Sequence, residues 1–355
     1  MYLPLLPLAL TILPAWSLPT KDKASAVPGE SSLFTTYQGK QTPLASNYTK
    51  AILPTNPGPL QGDDLLFQNL LAAEWAIYSF YQQGVEAFTS ESFTKLGLLN
   101  TTYERLAEIR DNEAGHIRIF QDEISNASVK PGPCTYNYGF AGSAQVYLAL
   151  QVYLEVSSMA FLTGLVRQAE ADDSKSALMA IGQIESRHNA WSLIDIYDVT
   201  PFSGPSDTIY PYPNHILELT NNFIVNGSCP SVNPVYPNPR PQLPTTNYVK
   251  NGTTATPGSK LQLVFEFSLT PATHLPWFEE KDYWAVFYHG VNKVSVPFHP
   301  TTNTTVIPAD FDVRAGVIIL VIADEYDAPT QESVVSLPLI LIQQPSALTL
   351  DFGEV

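Results

Sequence analysis

Two eleven-residue stretches constrain this chain more than any other feature. "LAEIRDNEAGH" (106–116) and "LMAIGQIESRH" (178–188) both read L-x-x-I-x-x-x-E-x-x-H. At helical periodicity Leu106, Ile109, Glu113 and His116 share one stripe, and Leu178, Ile181, Glu185 and His188 share its counterpart. Glu and His three residues apart face the same way, so each pair offers an oxygen and a nitrogen to one point. The apolar residues of each stripe turn it toward a core, where a carboxylate is costly unless something pairs with it.

Two other segments show the same conflict in sharper form. Glu74 is the only Asp, Glu, Lys or Arg between Leu65 and Val85, and Glu155 is the only one between Lys130 and Arg167. Both segments are of helix length. As membrane spans they are mediocre, since Gln68, Asn69, Gln82 and Gln83 interrupt the first, and Gln145, Gln151 and Ser157 the second. No transmembrane span is expected in the mature chain.

The periodicity predicts helices over about 63–88, 100–126, 143–171 and 172–198, with "NTT" (100–102) and "DDS" (172–174) as capping clusters. Each candidate ligand lies near mid-helix, so all can meet at one level. The connection 126–142 can reach about 50 Å when extended, enough to run the length of a bundle. Helices one and two then pair antiparallel, as do three and four, with one long crossover between the pairs. Glu74, Glu113, His116, Glu155, Glu185 and His188 thereby form the ligand set of a dinuclear carboxylate site. Two Fe or Mn ions suit this mixture of carboxylate oxygen and imidazole nitrogen, with Glu113 or Glu155 bridging and each histidine holding one ion.

Residues 199–258 are rich in proline and contain a short helix near 215–224. From 259 onward the pattern changes to period two. "KLQLVFEFSL" places Leu261, Leu263, Phe265 and Phe267 on one face, "DYWAVFYHGVNKVSVPF" reads as a hairpin, and "GVIILVIAD" as a buried strand. The fold class is therefore α+β: a four-helix bundle with a proline-rich extension (61–245), then a β-sandwich-like domain (250–345).

Residues 1–17, "MYLPLLPLALTILPAWS", have the apolar run and small residues of a signal peptide, and 18–60 read as a flexible leader. Sequons at Asn47, Asn100, Asn126, Asn226, Asn251 and Asn303 fit a secreted or cell-surface glycoprotein. Cys134 and Cys229, the only cysteines, then most simply form one disulfide. A net charge of −16 argues against nucleic acid and anionic membrane surfaces as partners.

Over about residues 60–245 the chain resembles the ferritin-like superfamily, and within it the secreted fungal stress-response proteins related to plant desiccation-related proteins. "GPLQGDDLLFQNLLAAEWA" and "RDNEAGHIRIF" carry the resemblance, and "VTPFSGPSDTIYPYPNHILELT" suggests the branch. It implies a ferritin-like bundle and a link to stress response, without a defined reaction. The reading of the site is an oxidoreductase using O₂ or H₂O₂, either an oxidase or catalase-like. The alternatives are metal binding without turnover, and a non-enzymatic stress-protective or cell-surface protein whose β domain binds a glycan or a protein.

Weaker candidates remain. Glu123 and Asp195 each follow a candidate ligand histidine by seven residues on the same stripe, which leaves two readings: acids that support the ligands from behind, or charges solvated at the helix ends. Tyr78 and Tyr81 lie one and two turns beyond Glu74 and could flank the site. His274, His289 and His299 lack partners at ligand spacing, so a second metal site is not expected there.

Overall fold

Four long helices lie where the apolar periodicity places them in this computed structural model: α1 (Asp64–Ala87), α3 (Thr102–Glu123), α4 (Ala144–Val166) and α5 (Asp172–Trp191). A five-residue helix that periodicity is too short to reveal, α2 (Ser90–Thr94), turns the chain from α1 into α3. The structure describes residues 49–198, 201–203, 208–235, 243–249, 256–266, 281–311 and 317–342. The expected signal peptide, most of the leader, Asn47, Asn251, Phe267 and His274 lie outside the described residues.

Side-chain contacts give the helix directions. Phe67, early in α1, meets Phe120, late in α3, with ring centroids 6.3 Å apart. Tyr147, early in α4, stacks on Phe80, late in α1, at 4.4 Å. The α1–α3 and α4–α5 pairs are the two extensive helix contacts, and α3 and α4 run the same way. The segment between Glu123 and Ala144 must therefore return along the bundle, as its length predicts.

Consecutive aspartates fasten one end of this bundle. The Asp64 carboxylate accepts from the Ser125 amide at 2.7 Å and the Ser128 hydroxyl at 2.5 Å, binding the start of α1 to the chain just beyond α3. The Asp63 carboxylate accepts from the Glu170 and Ala171 amides at 2.8 and 3.1 Å, at the start of α5. The caps expected from "NTT" and "DDS" do not form: Thr101 and Ala171 occupy the N-cap positions, and neither makes a side-chain cap. Ser143 does cap α4, accepting from Val146.

The crossover is stitched to the segment after the short helix α6 (Pro213–Leu219). Val225 donates its amide to the Thr135 carbonyl at 2.8 Å, and Asn137 donates to Phe223 at 2.7 Å. The Cys134–Cys229 disulfide, expected from the cysteine count, closes this junction across a sequence separation of 95. By loop-closure entropy such a link stabilises by about 4 to 5 kcal/mol. Ile52, within the span read as leader, pairs with Lys130 of the crossover.

The β region has two antiparallel sheets. One has the order β1-β2-β5 and the other β4-β3-β6-β7. The strands are β1 (Thr245–Tyr248), β2 (Lys260–Glu266), β3 (Tyr283–His289), β4 (Asn292–Phe298), β5 (Thr304–Val306), β6 (Val317–Ala323) and β7 (Leu339–Ile342). The predicted hairpin is β3–β4, closed by a two-residue turn with Gly290 at φ 58°. Pairing begins earlier than the alternation shows, because β1 is short and follows prolines.

Strand β6 explains why "GVIILVIAD" shows no alternation. Ile318, Leu320 and Ile322 join Leu261 and Leu263 in the core between the sheets. Val317, Ile319 and Val321 face the opposite way and share a core with the helices. The four-stranded sheet is thus the middle of three layers, and β6 is buried on both faces.

One close approach sets the upper end of the bundle. A Cβ built on Gly84 of α1 would lie 2.2 Å from the Tyr147 ring. The predicted cost of Gly84→Ala is about 1 to 3 kcal/mol from overpacking, despite the better helix propensity of alanine. Chemical denaturation checks this; a stability equal to or above that of the parent would show that Tyr147 moves freely.

Candidate metal centre

All six residues singled out by the helical stripes converge. Glu74 comes from α1, Glu113 and His116 from α3, Glu155 from α4, and Glu185 and His188 from α5. Each is buried. Two overlapping groups form: Glu74, Glu113, His116 and Glu185, then Glu113, Glu155, Glu185 and His188. Within each group, one ligand atom per residue lies within 4.8 Å of all the others.

The members common to both groups are Glu113, one of the two residues expected to bridge, and Glu185; Glu155 belongs to one group. Glu113 has one oxygen 3.0 Å from His116 Nδ1 and the other 3.0 Å from His188 Nδ1. Glu185 repeats this division at 3.4 Å to each histidine. By contrast, Glu74 Oε1 lies 3.3 Å from His116, and Glu155 Oε2 lies 3.5 Å from His188. The physical reason is helix position. The two Glu-x-x-His helices face one another, so their glutamates are central, while α1 and α4 supply one flanking carboxylate each.

The donor set fits a pair of divalent cations. Glu74 Oε1, Glu113 Oε1, Glu155 Oε2, both Glu185 oxygens and His188 Nδ1 are buried without a well-formed hydrogen bond. They are close to one another yet aimed at a common interior. Buried polar atoms in this number are rare unless something else satisfies them. Hard carboxylate oxygens with one imidazole per group match Fe(II) or Mn(II).

Charge shapes the titration of these groups. Burial, reinforced by the neighbouring Glu113, pushes the Glu74 carboxyl well above the usual range. Burial raises Glu155 to about 8, with the Glu185 charge adding to it. Burial acts the same way on Glu113 and Glu185, but the two histidines outweigh it and hold both below the usual range. Burial opposes the imidazolium form of His116 and His188, yet the surrounding carboxylates raise both histidines well above their ordinary value.

A hydrogen-bond chain supports Glu155. Ser192 donates to Gln151 Oε1, Gln151 Nε2 donates to the Tyr81 hydroxyl at 3.0 Å, and Tyr81 donates to Glu155 Oε1. Ser192 opens a π-helical turn, Ser192–Ile196, directly after α5. Tyr81 therefore flanks the site, whereas Tyr78 packs edge-on against Trp75. Gln151 and Ser192 were not legible in the sequence, because their role depends on α4 meeting the end of α5.

The other candidates fall elsewhere. Glu123 is exposed at the end of α3, and half-buried Asp195 lies in the π-helical turn that follows α5. Both lie beyond the level at which the helices meet. His299 is exposed, and buried His289 directs Nδ1 at the Val317 carbonyl. Among the described residues, neither joins a metal-binding group.

Helix α4 is long and apolar enough to cross a membrane by length and composition. Here it forms the bundle interior and carries Glu155. Residues 62–195 match the model of the ferritin-like domain family, a span that includes the four long helices and all six candidate ligands. This match supports placing that segment in the ferritin-like superfamily. No curated protein matches the chain.

The titration predicts how the metal-free protein responds to pH. Above about 4.5 an unfolded chain releases the Glu155 proton that the folded chain holds up to about 8. Above about 6.5 the same applies to the histidines. The folded state therefore binds more protons, and its stability falls as pH rises. Glu113 and Glu185 contribute the opposite sign, with stability lost in acid below their unfolded range. Thermal unfolding after metal removal should show Tm falling from about pH 6 to about pH 9, with a shallower slope in Glu155→Gln. Equal slopes in parent and variant would contradict the assignment.

Proposed function

We propose that this chain is a secreted ferritin-like protein whose buried cluster holds two Fe or Mn ions and reacts with O₂ or H₂O₂. The observation that carries this reading is the division of Glu113 and Glu185 between the two histidines, one oxygen to each. Two ions sharing carboxylates supply paired one-electron changes, and hence two-electron exchange with O₂ or peroxide. In the catalase-like version, two H₂O₂ give two H₂O and one O₂, with no outside reductant.

The chain's own groups prepare the centre for that chemistry. Glu113 and Glu185 hold the two positions together, while Glu74 and Glu155 complete one position each. Tyr81 fixes the orientation of Glu155 by donating to one of its oxygens. The aliphatic and aromatic side chains of α1 and α4 limit water around the carboxylates. Protons carried by Glu74, Glu155 and the histidines must leave as cations bind, so uptake should strengthen with pH.

Secretion is part of the proposal. The disulfide suits an oxidising compartment. Asn100, Asn126 and Asn226 are exposed and open to glycan attachment. Asn303 is half-buried with its Oδ1 enclosed, making it the least suitable of the described sequons. A role in stress response rests on the resemblance to the secreted fungal branch.

The test is reaction of the metal-loaded protein. Mn- or Fe-loaded chain should release O₂ from H₂O₂ or consume O₂, measured with an oxygen electrode. Glu113→Ala should lower the rate by at least about a hundredfold, by removing a ligand common to both groups. A fully loaded parent that does neither would reject the reaction and leave a metal-binding protein.

A further inference from the structure

Glu74 and Glu155 flank the cluster on opposite sides, yet the protein holds them differently. Glu155 ends a buried chain that starts at Ser192 in the π-helical turn after α5, passes through Gln151 on α4 and reaches Tyr81 on α1. All four side chains are completely enclosed. Gln151 precedes Glu155 by one helical turn, so both leave the same face of α4. Tyr81 follows Glu74 by two turns on α1, but it bonds across the bundle to Glu155.

The chain has one polarity when Glu155 is ionised, the state in which it binds a cation. A carboxylate only accepts, so the Tyr81 hydroxyl must donate to it. With that proton committed, the Tyr81 oxygen accepts from Gln151 Nε2 at 3.0 Å. The amide nitrogen thus faces Tyr81, and the amide oxygen faces Ser192, which supplies the proton that it needs. The other acceptor within reach of Ser192, the His188 carbonyl, is farther away at 3.2 Å.

Three donors in series therefore converge on a single oxygen, Glu155 Oε1. The second oxygen, Oε2, has no well-formed hydrogen bond and lies 3.5 Å from His188 Nδ1. Glu74 has no such support. Among the described residues its polar contacts are His116 and Glu113, both members of the cluster itself.

We propose that Ser192 and Gln151 are positioning residues that act through Tyr81 to hold Glu155 to one oxygen at the metal position of His188, a restraint that the position of His116 lacks. This rests on the two-ion reading above, though not on the reaction, and it makes the two positions unequal. Each link is a buried polar group whose partner must be present, so loss of any one releases the next. The end of α5 thereby sets the orientation of a ligand on α4.

Metal binding tests this without turnover. Titration of the full chain with Mn(II), read from the electron paramagnetic resonance of the free ion, gives both affinities. Gln151→Leu should weaken one of the two ions by at least about tenfold and leave the other unchanged. Ser192→Ala should weaken the same ion, whereas Ser192→Thr, which keeps the hydroxyl, should match the parent. The Ser192 pair carries the test should Gln151→Leu fold poorly.

Two backgrounds separate positioning from general damage. In Tyr81→Phe, Gln151→Leu should cause no further loss, because its effect passes through the missing hydroxyl. In His188→Ala the remaining ion should be indifferent to Gln151→Leu. Unchanged affinities in Gln151→Leu and Ser192→Ala, equal weakening of both ions, or losses that add in Tyr81→Phe would overturn the inference and leave the two-ion centre standing. A parent that takes up no ion would reject that centre and the role of the chain with it.

Discussion

The structure depends on the mutual repulsion of four carboxylates brought into one apolar interior. Glu74, Glu113, Glu155 and Glu185 are all buried, and only two imidazoles stand among them. At these distances and away from bulk water, four negative charges cannot persist unassisted. Burial pushes the carboxyls of Glu74 and Glu155 upward, and the surrounding carboxylates raise both histidines, so without metal each of these groups is shifted toward holding its proton. Two divalent cations would achieve the same balance with all four carboxylates ionised. This equivalence makes the arrangement compatible with folding and also suited to metal uptake.

The surrounding architecture follows from holding that cluster dry and level. Asp63 and Asp64 fasten the starts of α1 and α5 and the chain just beyond α3 at one end, while Gly84 and Tyr147 close the α1–α4 seam at the other. The Tyr210 carbonyl would lie 2.5 Å from a Cβ on Gly164, so the proline-rich segment lies directly on α4. Tyr210 then meets Tyr288 of β3 edge-on at 5.2 Å. The helices and the four-stranded sheet consequently share one apolar core, and the β region acts as a fixed outer layer of the bundle.

Much of this was legible in the sequence where one interaction dominates a long segment. Repeated stripes gave away α3 and α5, and isolated charges in apolar runs gave away Glu74 and Glu155. The candidate ligands were readable because a buried glutamate violates the ordinary pattern, and few structural roles tolerate such a violation. The place of Glu185 in both candidate groups was not readable, since it depends on how the helices are arranged around one another. Short strands such as β1 and β5 lack enough residues to show a period. The Asp63 and Asp64 contacts join segments far apart in sequence, so no local pattern shows them.

The central claim is that Glu113 and Glu185 join two metal positions into one centre. Electron paramagnetic resonance on Mn(II)-reconstituted chain, with elemental analysis of the same sample, tests it most directly. The account predicts two ions per chain, one for each ligand group, with the spectrum of a magnetically coupled pair. A single isolated Mn(II) signal, or protein that retains no metal after reconstitution, would contradict it.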